Sequence, residues 1–329
     1  YAAIQCPVFA VGGWADGFTN TVFRLLDHLE VPRRGLIGPW GHKYPHQGIP
    51  GPAIGFLQEA LRWWDHWLKG KDSGIMNEPM LRSWLQDSVP PDTSYEDRPG
   101  RWICEPDWPS TNIEQQRYPL GRDRIGLDEQ EALTRIALTV QSPLSVGLSA
   151  GKWCSYAATP DLPGDQREED GGSLVFNSPP LQEALEIHGM ASVDLEVSAD
   201  RPQAMLAVRI ADVAPTGQAT RITYGLLNLT HRDSDANPEP LEPHKRYRVS
   251  IPLNGIAQRF PQGHRIRVAI STSYWPLAWL PPEPVEVTVY TENSSLNLPV
   301  RTPSKEDVSL PPFGEPEQAP SVETTRLEP

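Results

Sequence analysis

Asp16 and His42 are the residues whose types and positions point most directly to chemistry. Each lies in a short loop, 12–18 for the aspartate and 38–42 for the histidine, and each loop follows an apolar run that is typical of a buried strand. An aspartate can accept a hydrogen bond from an imidazole, fix its tautomer and stabilise the imidazolium that forms when the ring takes a proton. Asp followed by His, each after a strand, is the order of the second half of a Ser…Asp…His triad.

The elements around the two loops predict a parallel strand–helix–strand unit. Strands are expected over 7–11 and 34–37, with a helix over 19–29 between them. Thr19 is the expected N-cap of that helix. A right-handed crossover between adjacent parallel strands would place both loops at the same edge of the sheet, where functional groups of such sheets lie.

A second helix is expected after His42, over about 52–69. Gly70 suits the left-handed backbone position that closes a helix. Apolar residues at helical spacing predict the face that packs on the sheet. These residues are Leu57, Ala60, Leu61, Trp64, Trp67 and Leu68.

A nucleophilic serine is expected before the aspartate and the histidine, on a sharp turn between a strand and a helix. The chain begins at Tyr1, close to its first expected strand, so we interpret it as the C-terminal portion of a larger protein. Residues 147–151 spell G-x-S-x-G around Ser149. No hydrophobic strand is expected before this segment and no helix after it, so we interpret it as a loop rather than a nucleophile elbow.

Composition and charge argue against several classes of function. The 329-residue chain carries a net charge of −13, which argues against nucleic acid and anionic membrane surfaces as partners. No apolar run reaches the roughly 20 residues that span a bilayer. Three widely spaced cysteines, Cys6, Cys104 and Cys154, favour a reducing, cytoplasmic location over a disulfide framework.

A metal site is not expected. His42 and His46, with Asp65 and His66 on the next helix, are the candidate ligands. The two loop histidines lack the H-x-x-x-H helical spacing of a zinc site. Acyl transfer by a triad needs no organic cofactor either. The sequence therefore predicts a site without metal or cofactor.

The chain beyond Glu78 changes to runs that alternate apolar and polar residues, which predicts half-buried strands. The runs are 193–197, 206–210, 247–251, 266–270 and 285–289. Several such strands separated by Gly and Pro turns predict an antiparallel β-sandwich, best described as a jelly roll.

The segments Gly13-Trp14-Ala15-Asp16-Gly17-Phe18 and Gly38-Pro39-Trp40-Gly41-His42 resemble the motifs of the X-Pro dipeptidyl-peptidase superfamily of serine hydrolases. Similar segments at 66–70, 165–167 and 261–271 extend the resemblance over nearly the whole chain. The resemblance implies an α/β-hydrolase catalytic domain followed by a jelly-roll domain. It also implies that the second domain shapes one wall of the pocket and supports homo-oligomerisation.

The same resemblance assigns roles to individual residues. It implies that Asp16 is the triad acid and His42 the general base. It implies that Trp14, Phe18 and Trp40 lie at the substrate pocket.

The predicted fold class is α/β plus all-β: the C-terminal part of an α/β-hydrolase sheet followed by a jelly-roll β-sandwich. We assign 1–77 to the α/β part and 78–303 to the sandwich. Residues 304–329 are rich in Pro and Glu and are expected to form a tail that is solvated or wraps around the domains.

The expected function is hydrolysis of a small-molecule ester or a short peptide by acyl transfer, with the serine outside this chain. One alternative is a jelly-roll module that binds carbohydrate or another ligand, which the 11 tryptophans would suit. That alternative leaves the pairing of Asp16 with His42 unexplained. Another is a catalytically inactive hydrolase relative, which only the sequence before Tyr1 can exclude.

Overall fold

The structure is a computed structural model that describes residues 1–128, 131 and 133–317. Its strands are β1 (Val8–Gly13), β2 (Arg33–Gly38), β3 (Leu81–Gln86), β4 (Gly100–Glu105), β5 (Ile113–Gly121), β6 (Arg124–Ile125), β7 (Ala137–Val140), β8 (Leu174–Asn177), β9 (Leu185–Gly189), β10 (Ser192–Ala199), β11 (Met205–Val213), β12 (Ala219–Asn228), β13 (Tyr247–Pro252), β14 (Ile256–Phe260), β15 (Arg265–Ser271) and β16 (Val287–Arg301). Its α-helices are α1 (Thr19–His28), α2 (Phe56–Lys69) and α3 (Arg167–Asp170). None of these helices is long and apolar enough to cross a bilayer.

The first three strands form a parallel sheet. β1 pairs with β2 in parallel from Val8 opposite Arg33 to Gly13 opposite Gly38, which confirms the predicted neighbours. β3 continues the sheet on the other side of β2, also in parallel. Strand pairing thus crosses the predicted domain boundary between residues 77 and 78, and the division into domains stays a prediction.

Helix α1 packs its apolar side on this sheet. Val22, Phe23 and Leu26 are buried in one cluster with Ala10 of β1 and Ile37 of β2. The predicted helix is confirmed, because these positions share one face at helical spacing. The predicted N-cap was wrong by one residue.

Phe18 occupies the N-cap position of α1. The hydroxyl of Thr19, the first residue of the helix, donates to the backbone carbonyls of Gly13 and Asp16. It thereby fastens the helix to the loop that precedes it.

Helix α2 begins at Phe56 rather than near residue 52, and Gly70 closes it at φ +66° as predicted. The predicted buried face was wrong. Trp63 is buried and contacts the Phe9 ring at a centroid distance of 5.5 Å. Leu57, Leu61, Trp64 and Leu68 are 42%, 56%, 52% and 74% exposed. Apolar residues surround much of the helix, and the sheet covers only the side of Trp63, so spacing alone could not identify the covered face.

The rest of the described chain is mostly β structure. β10 pairs antiparallel with β13 and β16, and β16 also pairs with β5 and β7. A second antiparallel group has the order β8, β15, β11 and β12. Buried side chains from both groups form one apolar core, which confirms the strands predicted from alternation. The more detailed prediction of a jelly roll stays a prediction.

Residues 304–317 pack against β3, β4 and the segment just before α2. A 3₁₀ turn spans Lys305–Ser309. The Phe313 ring contacts Trp102 at a centroid distance of 4.8 Å and lies 3.7 Å from the Arg82 guanidinium. The carbonyl of Gly314 accepts a 2.7 Å hydrogen bond from the backbone of Gly55, just before α2. The remaining predicted tail, 318–329, lies outside the described residues.

A buried polar network joins the parallel sheet to the antiparallel strands. Glu105 Oε1 of β4 accepts from Arg301 Nε of β16 at 2.6 Å and contacts His188 Nδ1 of β9 at 3.3 Å. His188 Nε2 lies 3.0 Å from Ser83 Oγ of β3, and the Arg301 guanidinium also donates to Asp307 at 2.8 Å. The side chains of Glu105, His188 and Arg301 are fully buried. Each charge is therefore held by a specific partner.

We predict that Glu105→Gln lowers the free energy of unfolding by about 3 kcal/mol, because it leaves the buried Arg301 charge incompletely paired. Burial alone would raise the pKa of Glu105, but hydrogen bonds from His188, Ser110 and Arg301 bring it to about 2, below its usual 4.5. The stabilisation from the carboxylate is thus present above pH 4.5 and is lost as the pH falls from 4.5 towards 2.

Urea unfolding of both proteins at pH 7 and at acidic pH measures this effect. The difference between them should shrink below pH 4.5. Glu114→Gln, at an exposed position, is the control. An equal, small effect of both substitutions at pH 7 would contradict the role assigned to the network.

Candidate active site

Asp16 and His42 lie next to each other at the carboxyl ends of β1 and β2. The Asp16 Oδ2 atom is 2.9 Å from His42 Nδ1, within hydrogen-bond distance. The Asp16 side chain is 13% exposed and the His42 side chain 43% exposed. The carboxylate is thus largely shielded, whereas the imidazole reaches solvent.

Backbone hydrogen bonds fix the two loops against each other. The N–H of Trp14 donates to Gly38 at 2.9 Å, and the N–H of Ala15 donates to the carbonyl of Trp40 at 3.0 Å. This approach requires glycine at position 13, because a Cβ there would lie 2.1 Å from the Trp40 carbonyl oxygen. The parallel pairing of the strands therefore continues into the loops that carry the two side chains.

The Asp16 carboxylate is oriented through its second oxygen. Oδ1 accepts a 3.0 Å hydrogen bond from the backbone of Phe18, and the thiol of Cys154 lies 3.7 Å from the same oxygen. Burial raises the pKa of the Cys154 thiol, so the sulfur remains protonated and can donate. Oδ2 is left to face His42.

Residues 153–156, from the mostly β part of the chain that follows residue 77 (the β region), hold His42 in position. The backbone N–H of His42 donates to Ser155 at 2.6 Å, and the N–H of Ser155 donates to Ala15 at 3.1 Å. The imidazole contacts two aromatic rings, Phe18 at a centroid distance of 5.6 Å and Tyr156 at 5.2 Å. The sequence did not predict a role for this segment, in which only Cys154 was noted, as one of three widely spaced cysteines.

The three residues predicted at the substrate pocket lie in different surroundings. Phe18 is 53% exposed and contacts both His42 and Trp153. Trp14 is half-buried and donates its indole N–H to the Trp84 carbonyl at 2.7 Å. Trp40 is 1% exposed and packs beneath its loop, so its ring supports the loop, and a contact with substrate stays a prediction without structural support.

Ser149 is not placed for nucleophilic attack. The backbone N–H groups of Gly147 and Ser149 donate to the Glu169 carboxylate at 2.5 and 2.6 Å. The Ser149 hydroxyl contacts Glu168 at 3.3 Å. The segment is thus a turn that binds a carboxylate of its own chain, in agreement with its interpretation as a loop.

Among the described residues, one group of side chains offers donor atoms to a metal ion. Atoms of Asp16, His42 and Cys154 all lie within 4.8 Å of one another. A metal there would compete with the hydrogen bond between Asp16 and His42. Of the two helix residues named as candidate ligands, Asp65 and His66, the first is paired with Lys69 and Lys71 on the protein surface instead. The expectation of a metal-free site stays a prediction.

The geometry suits proton transfer by His42. With Asp16 accepting from Nδ1, the neutral ring carries its lone pair on Nε2. Among the described residues no side chain forms a hydrogen bond with Nε2, so this atom is available to a substrate or a nucleophile. Asp16 would then stabilise the imidazolium that forms when Nε2 takes a proton.

Two family models match the chain. The model for the X-Pro dipeptidyl-peptidase C-terminal non-catalytic domain matches residues 73–308. The model for the X-Pro dipeptidyl-peptidase S15 family matches residues 1–44, which contain both Asp16 and His42. The two matches together cover most of the chain.

Individual curated proteins and a solved structure are also similar to this chain. A Mycobacterium bovis protein named as a presumed serine esterase is 28% identical over 92% of this chain and 51% of its own length. The cocaine esterase of a Rhodococcus species is 24% identical over 83% of this chain and 50% of its own length. A CocE/NonD family hydrolase of Staphylococcus aureus has a similar fold, with a TM-score of 0.67 at 15% identity over 92% of this chain and 55% of that structure. The chain thus spans about half the length of these relatives.

We predict that Asp16→Asn allows the neutral His42 ring to adopt both tautomers. A carboxylate only accepts hydrogen bonds, whereas an amide can also donate, so the amide no longer selects the ring protonated at Nδ1. ¹⁵N NMR of the neutral ring should show one dominant form, protonated at Nδ1, in the parent chain. The variant should show a mixture of the two tautomers. Asp72→Asn, at an exposed turn, should leave the spectrum of His42 unchanged. The same single tautomer in the parent chain and in the Asp16→Asn variant would contradict the orienting role.

Proposed function

Since the chain belongs to the X-Pro dipeptidyl-peptidase family, we propose that it supplies the acid and the general base of a serine hydrolase. The reaction is cleavage of an ester or an amide by acyl transfer. The single observation that carries this proposal is the 2.9 Å contact between Asp16 and His42, held by backbone bonds between their loops. No cofactor takes part.

The proposed mechanism follows from the free Nε2 atom of His42. His42 removes the proton of a serine hydroxyl as the serine oxygen attacks the substrate carbonyl. The imidazolium, stabilised by Asp16, then protonates the leaving alcohol or amine as its bond to the acyl carbon breaks. His42 then takes a proton from water as the water oxygen attacks the acyl-enzyme. The bond between the acyl carbon and the serine oxygen breaks, the serine recovers its proton from His42, and the carboxylic acid is released.

We infer that the serine lies outside these 329 residues. Among the described residues no serine hydroxyl forms a hydrogen bond with the His42 ring, and Ser149 is engaged elsewhere. The S15 family model matches only residues 1–44, and the chain spans about half of its curated relatives. The extent of the family match and the share of the relatives that this chain covers support a nucleophile in additional polypeptide.

Two surfaces of the chain would suit that polypeptide. β1 pairs only with β2 among the described strands, so its other edge is open. The exposed apolar stripe of α2 comprises Leu57, Leu61, Trp64 and Leu68. Soluble proteins seldom leave a strand edge and an apolar patch uncovered together. Further parallel strands and helices would cover both.

Phe18, Trp153 and Tyr156 form the proposed apolar wall beside the reacting atoms. All three rings are more than half exposed. Phe18 contacts both Trp153 and His42. An acyl group bound against these rings would lie next to Nε2.

We predict that His42→Ala in the natural gene product that contains these residues lowers kcat for a chromogenic ester by about 10⁴-fold, because the general base is lost. KM should change much less. His28→Ala, at an exposed position at the end of α1, should retain the parental rate. A parental rate for the His42 variant would remove it from the mechanism.

We also predict that the purified 329-residue chain hydrolyses the same ester no faster than its His42→Ala variant, because it lacks the nucleophile. Ser149→Ala should change nothing. Full turnover by this chain that is abolished by Ser149→Ala would overturn the placement of the nucleophile outside it.

A further inference from the structure

A cavity lies between the Asp16 loop and the β region. Its wall includes Trp14 and Asp16 from the α/β part. It also includes three cationic side chains, Arg98, Lys152 and Arg221. The carboxylate that orients His42 therefore shares a cavity with a group of positive charges.

Arg98 is a buried cation in this wall, with 7% of its surface exposed. Its Nε atom donates to Gln86 Oε1 at 3.0 Å, and its guanidinium lies 4.8 Å from the centroid of the Tyr95 ring. In the described part of the chain no carboxylate forms an ion pair with it. Burial lowers the pKa of the Arg98 guanidinium, and the nearby Tyr95, Asp212 and Asp87 oppose this shift only in part.

Arg221 of β12 is the second cation without a carboxylate. Its Nη1 atom donates to the Ala150 carbonyl and to the Tyr274 hydroxyl, both at 2.7 Å. The guanidinium lies 4.5 Å from the centroid of the Tyr224 ring. Among the described residues, the hydrogen-bond partners of Arg221 are thus neutral. They fix the plane of its guanidinium without balancing its charge.

The other charges of the wall are already engaged. Lys152 pairs with Asp161 at 2.5 Å, and Asp16 contacts His42. Asp92 accepts a 3.1 Å hydrogen bond from the backbone two residues later in its own turn. Lys152 and Asp161 balance each other, so Arg98 and Arg221 are the cations of the described wall that form no ion pair with a carboxylate.

We propose that Arg98 and Arg221 bind the carboxylate of a monoanionic substrate, an ester or amide that carries one carboxylate besides its scissile bond. This inference rests on the proposed hydrolase function and adds the class of substrate. A guanidinium binds a carboxylate through two parallel hydrogen bonds, which suits groups whose planes are already fixed. Asp16 and Asp92 in the same wall disfavour a second negative charge, such as that of a phosphate dianion.

Binding to the 329-residue chain tests the inference without any turnover. The probes are monomethyl succinate, with one ester and one carboxylate, and its neutral analogue dimethyl succinate. Dissociation constants come from chemical-shift changes of backbone amides during titration. Monomethyl succinate should bind at least about tenfold more tightly, because a charged hydrogen-bonded pair contributes about 1.5 kcal/mol or more, roughly a tenfold change in Kd.

Arginine variants identify the binding groups. Arg221→Gln and Arg98→Gln should each weaken binding of monomethyl succinate by about tenfold or more, with dimethyl succinate unaffected. Arg221→Lys should recover part of the loss, since it retains charge without the planar fork. Arg246→Gln is the matched control: Arg246 also stacks on a tyrosine, at 3.7 Å from the Tyr290 centroid, but lies outside the cavity. Because Arg98 is buried, a folded Arg221 variant carries the test if Arg98→Gln unfolds.

Each contrary result has a definite meaning. Equal binding of the two succinates, or unchanged binding to the Arg221 variant, would overturn the inference. Tighter binding of inorganic phosphate than of monomethyl succinate would overturn the assignment to a carboxylate. The proposed hydrolase function fails separately, through the His42 variant of the natural gene product, because these titrations measure no turnover.

Discussion

The close approach of two loops is the constraint on which the rest of this site depends. Parallel pairing of β1 with β2 ends at Gly13 opposite Gly38, and it is extended by the hydrogen bond from Ala15 to the Trp40 carbonyl. Only a residue without a Cβ at position 13 permits that approach. The resulting geometry brings Asp16 Oδ2 to 2.9 Å from His42 Nδ1. The acid and the base are therefore positioned by backbone, and their side chains need little further ordering.

The β region contributes to the site directly as well as through its own fold. Its Ser155 segment forms backbone hydrogen bonds with both loops, and its Cys154 thiol faces the Asp16 carboxylate. Away from the site, the buried Glu105–Arg301 pair joins β4, the antiparallel neighbour of β3, to the long strand β16. A region that resembles a non-catalytic domain thus fixes the position of the residues proposed to catalyse the reaction.

Local patterns in the sequence predicted the local features of the structure. Glycine-bounded apolar runs identified β1 and β2, and the order of the chain placed Asp16 and His42 together. Features that depend on distant chain segments could not be predicted. The contact of Cys154 with Asp16 joins residues 138 positions apart, and no local period records it. The exposed side of α2, with Trp64, was assigned to the core because spacing shows that a face is apolar but not what covers it.

A crystal structure of the natural gene product that contains these residues, after reaction with a phosphonate inhibitor of serine hydrolases, tests the central claim most directly. The account predicts a phosphonylated serine outside residues 1–329, with its oxygen about 3 Å from His42 Nε2. It also predicts that Asp16 still accepts from Nδ1 of the same ring. Modification of Ser149, or a phosphonylated serine remote from His42, would contradict it.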